Sequence, residues 1–585
     1  MIVAMKKVAV ITQGKDKLSA LDKLRSLGLF HVQHTQPPKG KDIGVLNEQI
    51  ALVSQALSVL PDASAKVVFD TPMADWQFIT RHIIDLYKRK DQLGQYLQRL
   101  SVSIRQYEEW GDFDPQSFQD LAMNNIFAGL YQLPVKVLAQ LPRNIAVAEI
   151  SVKGGIANCL LASEKKIEIG FKEIPLPQMS LEAMYKRKAL DSQAIRDIDQ
   201  QLDKQSPYRQ ALRKVKADLQ KELEFQEALS GEAQEGIFSY ISGFVPAESV
   251  EKLTRQAKQE QWALRVDDPA ESDSVPVLLR NPAWVSIINP IFKFLEILPG
   301  YHELDISLCF LIFFSIFFGI LIGDAGYGLV YFLITFFVHR KARKSNKQTN
   351  GFFLFYILSF CAIIWGVCTG TFFGHEWVLK AGYKPLIPAL NDEKFLQRLC
   401  FLIGAVHLSI AHIWRGVLKA PALSALADLG WVCVLWACFF IAKLLILGDI
   451  FPPFGNGLLI AGVTLVILFT NPQKNILKGI GAGLGTLALS LMNNFTDVVS
   501  YIRLFAVGLA GVAIADAFNA MASSARNASI FSFLLAGFIL LVGHILGVFL
   551  GPVSVLVHGV RLNVLEFSGH ANVSWSGQNY KPLKE

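Results

Sequence analysis

Where the apolar residues fall constrains this chain more than anything else in it. Before residue 300, Lys, Glu, Gln and Asp interleave with apolar positions; from Ile306 onward, long apolar runs follow one another almost to the end. A run of about 20 apolar residues has the length of a bilayer crossing. Residues 1–300 therefore read as a water-soluble domain and 301–585 as a polytopic, all-helical membrane domain. The composition of the 585 residues, 52% hydrophobic and 18% charged with a mean hydropathy of +0.35, averages two unlike halves. The opening "MIVAMKKVAVITQGKDKL" has too short an apolar core for a signal peptide, so the soluble half is expected in the cytoplasm. The net charge of +7 sits largely in loops beside apolar runs, which favours membrane topology over nucleic acid as its explanation. The cysteines (Cys159, Cys309, Cys361, Cys368, Cys400, Cys433 and Cys438) form no C-x-x-C pair and read as buried thiols. Neither a metal nor any other cofactor is expected.

In the soluble half, "KKVAVITQGKDKLSALDKLRSLGLFHVQ" reads strand, amphipathic helix, strand. Helical periodicity follows over 45–60 and 74–107, where Ile83, Leu86, Leu93, Leu97, Leu100 and Ile104 share a face. "WGDFDP" ends that helix, and 119–175 is β-rich. A second long polar helix spans about 180–229, with Met184, Ile195, Ile198, Leu202, Leu212, Val215 and Leu219 on its apolar side and Pro207 as a kink. Two long helices around a globular insert predict an antiparallel coiled-coil rod tipped by a small domain. "ISGFVPAESVEKLTRQAKQEQWALRV" reads strand, helix, strand, a second small α/β unit.

Eight spans are expected, at about 306–322, 325–338, 352–373, 396–414, 429–447, 454–470, 482–522 and 530–566. The last two are too long for straight crossings, since 37 helical residues measure about 55 Å against a hydrocarbon core of about 30 Å. They must tilt, project or break. With both ends cytoplasmic, the inner loops carry Arg340, Lys341, Arg343, Lys344, Lys347, Arg415, Lys419, Lys474, Lys478, Lys581 and Lys584. The outer ones carry only Lys380, Lys384, Lys394 and Arg526. The positive-inside rule supports that orientation.

Within "DVVSYIRLFAVGLAGVAIADAF", Arg503 stands mid-span, where insertion costs roughly 2.5–3.5 kcal/mol. Asn493, Thr496, Ser500 and Arg503 share one α-helical face, which continues as Val507, Ala510 and Ile514 with Gly508 and Gly511 close by. In the last span His544, Gly547, Gly551, Ser554, His558 and Arg561 also share a face, expected to look at a partner helix and at Arg503 rather than at lipid. Glu566, five residues past Arg561, should point about 140° away from it. Arg561 is therefore expected to matter more to function than Glu566. A fixed cation in a low dielectric suits one task well: meeting a mobile carboxylate and lowering its proton or cation affinity as it passes. Small residues alongside let the partner helix come close.

"SYIRLFAVGLA", "HGVRLNVLEF" and "FFGILIGDAGYGLVYF" together resemble the membrane subunit of V/A-type rotary ATPases, called subunit I in prokaryotes and subunit a in eukaryotes. "FGHEW" and "AVHLSIAHIW" are compatible with that family, and "WGDFDP", "ISGFVPAESVEKL" and "VPVLLRNPAW" resemble its soluble half. The resemblance implies an ion-translocating stator subunit with two aqueous half-channels lying against a rotating ring of proteolipid helices. Arg503 matches the family's essential arginine and Arg561 the second one. Implied partners are the proteolipid ring, the peripheral-stalk E/G heterodimers, the central-stalk-associated C/d subunit and, indirectly, the catalytic A/B head. The chain departs from eukaryotic members at Leu489 and Gly551, where they carry acids, and at Gly511, where they carry histidine.

Other polar residues enter as candidates. Asp516 reads as an outer-channel acid, His407 as channel-lining or hydrogen-bonded between helices, and His412 more weakly so. Asp324 reads as a turn or cap residue at the outer surface, Asp497 as simply hydrated, and Lys443 as snorkelling to the interface. No G-x-x-x-x-G-K-[ST] loop is present, so no nucleotide site is expected. A secondary transporter with a coiled-coil regulatory domain is the alternative, but no repeat relates the two halves of the membrane region. A membrane-anchored scaffold would leave the intramembrane charges unexplained.

Overall fold

The computed structural model describes residues 1–34, 36–61, 75–138, 140–167, 169–231, 233–235, 237–344, 350–374, 377–378, 381–382, 384–470, 476–525 and 530–584. Lys347, Lys380, Lys474, Arg526 and the His375–Glu376 pair of "FGHEW" lie outside them. Two compact units form. One comprises Ala9–Gly243, Gln261–Leu264 and Leu583–Glu585; the other Met1–Val8, Phe244–Glu260 and Arg265–Pro582.

The expected strand–helix–strand elements are present: β1 (Met5–Gln13), a helix over Lys17–Leu27 and β2 (His31–Val32). The long helices are α1 (Lys41–Val59), α2 (Trp76–Tyr107), α3 (Leu181–Gln205) and α4 (Arg209–Ser230). Pro207 separates the last two in a tight turn, Ser206–Tyr208, as its missing N–H and fixed φ require. Helix α1 packs along α4 and α2 along α3. Their shared seam buries Val53, Ile83, Ile84, Ile198, Leu202 and Leu212, largely the apolar face read from the sequence. At the far end of α2 and α3, strands β3 (Phe127–Pro134), β4 (Ala146–Lys153), β5 (Ile156–Ser163) and β6 (Glu173–Ile174) form a sheet of order β4-β5-β3-β6. It rests on Leu100, Ile104, Tyr107, Trp110 and Met184.

One expectation is corrected. The strands β7 (Ala233–Glu235), β8 (Phe238–Pro246) and β9 (Ala263–Asp267) do not build a second α/β unit. The sheet order is β2-β8-β1-β9, with β7 on β8, so β8 and β1 alternate with their would-be separate partners in a single sheet. Each α/β half alone would leave two strand edges open, and pairing them removes edges.

The membrane-type elements are α5 (Ser307–Ile322), α6 (Ala325–Lys344), α7 (Asn350–Thr369), α8 (Glu393–Lys419), α9 (Ser424–Ala442), α10 (Pro453–Phe469), α11 (Ile476–Ser500), α12 (Ile502–Ala525) and α13 (Ile530–Ser554). Among the described residues five helical stretches are long and apolar enough to cross a bilayer: Gly351–Thr369, Glu393–Lys419, Ser424–Leu447, Leu487–Ala525 and Ile530–Ala571. Ser307–Ile322 and Pro453–Phe469 are apolar but shorter. Helix α5 is apolar all round and largely enclosed by its neighbours, with Ile312 and Ile316 left exposed. Helix α13 instead leaves Phe531, Phe533, Leu534, Phe538 and Phe549 exposed, a surface suited to lipid or another apolar partner.

The "GDAG" turn between α5 and α6 takes its shape from Gly323, which caps α5 at φ 64°. The Asp324 carboxylate accepts N–H bonds from Tyr327 (3.0 Å), Phe373 (2.9 Å) and Gly374 (2.9 Å). Its turn role is as expected, but it is buried beneath the segment after α7, not at the surface. Gly366 makes that approach possible: a Cβ there would lie 2.0 Å from the Ala325 nitrogen.

Candidate functional site

Both overlong runs break, and the breaks build the site. At Tyr501 the helical ladder tightens: Leu504 N–H bonds the Tyr501 carbonyl at 3.0 Å, leaving the Ser500 carbonyl free of its usual donor. Arg503 Nε takes that carbonyl at 2.9 Å. Tyr501 is fully buried, and its hydroxyl meets His407 Nδ1 at 2.7 Å. Gly404 makes room for the ring, since a Cβ there would sit 2.7 Å from it.

In the final run, Pro552 cannot donate to the Val548 carbonyl four residues back. The Tyr331 hydroxyl donates to it instead at 3.0 Å. Two π-helical turns follow, Val555–Gly559 and Leu562–Phe567. In a π-turn, residues five apart stack over one another. Glu566 therefore does not point away from Arg561, and the 140° expectation, drawn for an ideal α-helix, is corrected. Arg503 Nη2 donates to Glu566 Oε1 at 2.6 Å, and Arg561 Nε stands 3.5 Å from the same oxygen. Ser500 Oγ is also 3.5 Å from it. Glu566 is 5% exposed, Arg503 24% and Arg561 54%. The carboxylate is the buried member of the cluster, and its Oε2 has no hydrogen-bond partner among the described residues.

The remaining candidates divide. His558 lies in the electrostatic field of both arginines, and its buried Nδ1 also lacks a partner among the described residues. His544, on the same predicted face, turns elsewhere: its Nδ1 meets the Tyr327 hydroxyl at 2.9 Å. Gly547 and Gly551 pack against the Tyr327 and Tyr331 hydroxyls. That face is thus directed at α6, and the π-turns beyond Ser554 rotate His558 and Arg561 out of its register. Ser554 itself is half-buried, whereas Asn493 and Thr496 are exposed. His407 is stacked between Phe313 (3.8 Å between centroids) and Phe567 (4.3 Å), so it holds the Tyr501 break within the core. Asp497 is not merely hydrated, because His570 Nε2 approaches its carboxylate at 3.1 Å. Lys443 reaches Asp449 at 3.3 Å rather than only snorkelling.

Beside Arg503, α12 presents two different surfaces. Gly508 packs inward, where a Cβ would lie 2.6 Å from the Ile320 carbonyl oxygen. The exposed face is a line of alanines, Ala506, Ala510, Ala513, Ala517 and Ala520, one helical turn apart and continuing from Arg503. The sequence reading continued that face as Val507, Ala510 and Ile514 with Gly508 and Gly511 close by; Ala510 and Gly511 are exposed, whereas Gly508 is buried. A cavity of about 220 Å³ runs from Asp516, Glu393 and Asn391, past Thr369 and Thr371, to Leu504 and Phe505 next to Arg503. Asp516 lies under the segment after α7, its carboxylate 2.4 Å from where a Gly374 Cβ would be. Among the described residues no cluster of His, Cys, Asp and Glu has a metal-holding arrangement.

This architecture defines a multi-pass membrane protein with a charged centre between two interrupted helices. Comparison with known proteins narrows the class. No protein-family model matches the chain. It is 32% identical over the full length of both chains to "V-type ATP synthase subunit I" of Borreliella burgdorferi. It is 29% identical over the full length of both to "V-type ATP synthase subunit I 1" of Treponema pallidum. The match to "A-type ATP synthase subunit I" of Methanocaldococcus jannaschii is 25% identical and covers 59% of this chain and 55% of that one. Among solved structures, a cytoplasmic N-terminal domain of subunit I, homolog of subunit a of V-ATPase, aligns over 45% of this chain and 99% of that one, at 13% identity and a TM-score of 0.22. The chain belongs to the subunit I family of V-type and A-type ATP synthases, and is a membrane subunit of a rotary ATPase.

Proposed function

We propose that this chain is the ion-translocating stator subunit of its complex, with eight membrane spans and both termini cytoplasmic. The observation that carries the reading is Arg503. It is held in an interrupted span, only partly screened by Glu566, at the head of an exposed alanine line. A proteolipid ring helix lies along Ala506, Ala510, Ala513 and Ala517, where the absence of bulky side chains lets backbones approach. Its carboxylate passes Arg503 and exchanges with Glu566 as the guanidinium's partner. The cavity from Asp516 and Glu393 to Leu504 is the outer half-channel. The inner one opens toward Glu566, Ser500, His558 and Arg561, with Ser554 and Asn493 toward its edge and His407 and His544 supporting the helix breaks. The helical rod and its sheets bind the E/G peripheral stalks, and the C/d subunit joins the ring to the central stalk and the A/B head.

Purification in mild detergent tests this reading. The chain is expected to co-purify with a proteolipid ring and nucleotide-binding subunits. A chain that purifies alone, or with a soluble regulator only, contradicts the stator role and favours a transporter.

A further inference from the structure

The short helices that precede α5 border a second site, away from the arginine centre. Residues Ala283–Ser286 and Asn289–Leu295 turn Val285, Ile288 and Phe292 inward. Trp284 and Phe294 stay exposed, at 60% and 69%. Aromatic side chains left outside a short apolar segment suit a membrane–water boundary. Against these helices opens an apolar groove of about 1030 Å³, walled by Ile312 and Ile316 of α5 and by Phe353, Ile357 and Cys361 of α7. From Gly351 to Cys361 its α7 wall rises ten residues. That is about 15 Å of helix, half of a hydrocarbon core about 30 Å thick. The groove is therefore about one leaflet deep. Within the wall, Ser315 turns its hydroxyl back to the Leu311 carbonyl at 2.7 Å, so it offers an occupant no free polar group.

At its mouth the groove meets a second, polar cavity of about 630 Å³, and Asn289 and Lys293 line both. Glu296, Asn579 and Tyr580 line the second one, beside the parallel strand pair Pro276–Val277 and Gln578–Asn579. Lys293 and Glu296 are exposed, and neither is in an ion pair among the described residues. Asn289 Oδ1 is buried and has no hydrogen-bond partner among the described residues. One cation, one anion and one bare acceptor thus line a pocket that opens into a leaflet-deep apolar slot. Slot and pocket match the two parts of a phospholipid, and the three polar groups select its headgroup. Lys293, a compact cation with three donors, takes the phosphate. Glu296 and Asn289 Oδ1 only accept, so the rest of the headgroup must donate and carry positive charge. Choline is charged but has no N–H. Glycerol donates but has no charge. Serine adds a carboxylate that Glu296 repels. Ethanolamine meets both requirements.

We propose that the groove between Ala283–Leu295, α5 and α7 binds one ethanolamine phospholipid. Its phosphate sits on Lys293 and its ammonium between Glu296 and the Asn289 side-chain carbonyl. An acyl chain lies along Ile312, Ile316 and Ile357. The site goes beyond the stator reading: it uses none of the charged residues at the arginine centre and requires only that this chain spans a membrane.

The test places the whole complex in phosphatidylcholine vesicles that carry a trace of a lipid with a photoactivatable diazirine in one acyl chain. Three probes are compared, with ethanolamine, choline or glycerol headgroups, and the labelled peptides are identified by mass spectrometry. The ethanolamine probe is expected to label α5 and α7 about tenfold more than the other two, the size of one hydrogen bond to a charged group. Labelling of the exposed face of α13 serves as the control and should not depend on the headgroup. Lys293→Gln should lower ethanolamine labelling of α5 and α7 to the choline level and leave α13 unchanged, with the complex still assembled. Ile357→Trp, which fills the slot and leaves the pocket intact, should lower it as well. Equal labelling by the three probes overturns the proposal, because the groove is then an unselective lipid-facing surface. Undiminished labelling in Lys293→Gln overturns it too, and so does the absence of any label because another subunit covers the groove. A complex that pumps ions but shows no headgroup preference removes the lipid site alone; normal pumping by Arg503→Ala removes the stator reading alone.

Discussion

Arg503→Ala is expected to abolish ATP-driven ion uptake in reconstituted vesicles while the complex remains assembled. The guanidinium makes two separate contacts, Nε to the Ser500 carbonyl and Nη2 to Glu566. Alanine removes both, and with them the charge that the stator reading sets against a passing ring carboxylate. Assembly survives because Arg561, 3.5 Å from Glu566 Oε1, keeps the buried carboxylate partnered. Lysine at 503 preserves a charge but not the planar fork that makes both contacts, so Arg503→Lys is expected to retain only a small part of the rate. The measurement is uptake per assembled complex, and uptake near the unmodified rate in Arg503→Ala would remove the assignment.

Glu566→Ala is expected to be the second most damaging change, ahead of Arg561→Ala. Glu566 is the single buried anion shared by two guanidiniums, and removing it leaves Arg503 and Arg561 facing each other. Breaking a buried pair by deleting one partner costs roughly 3–5 kcal/mol. Both the uptake rate and the yield of assembled complex should fall, the rate by at least about tenfold. Arg561 is 54% exposed and its contact is long, so its loss weakens a solvent-screened pair and should cost little in assembly. Comparing the two variants for yield and uptake decides the matter; a larger effect at Arg561 would return the order expected of an unbroken α-helix.

That reversal shows where the sequence was readable. Period-3.6 apolar faces correctly give the long helices α1 to α4, because Ile83, Leu86, Ile198, Leu202 and Leu212 report a local rule. The excessive length of the last two runs requires tilt, projection or breakage, and both runs are interrupted. The location of the breaks depends on tertiary groups: Tyr501 is held by His407 from α8, and Tyr331 from α6 takes the carbonyl that Pro552 cannot bond. Pro552 was a visible signal for irregularity, but the two π-turns after it were not, and they alone bring Glu566 under Arg561. Arg503 stood out by charge in an apolar run. His570 did not, because its meaning lies in partners 73 and 158 residues away, Asp497 and His412. The alanine line is present in the sequence, yet only packing against Ile320 shows that Gly508 faces inward and the alanines outward.

The central claim, that α12 lies against a rotating ring, is tested most directly by cysteine crosslinking in the whole complex. Cysteines at Ala510 and Ala517, each paired with a cysteine in the lipid-depth part of the ring helix, are expected to form crosslinks to the proteolipid subunit and to stop ATP-driven uptake until reduced. A cysteine at Ala515, which is buried on the opposite side of the helix, should form none. Crosslinking at 515 but not at 510 or 517, or no product with the ring from any of them, would contradict the account.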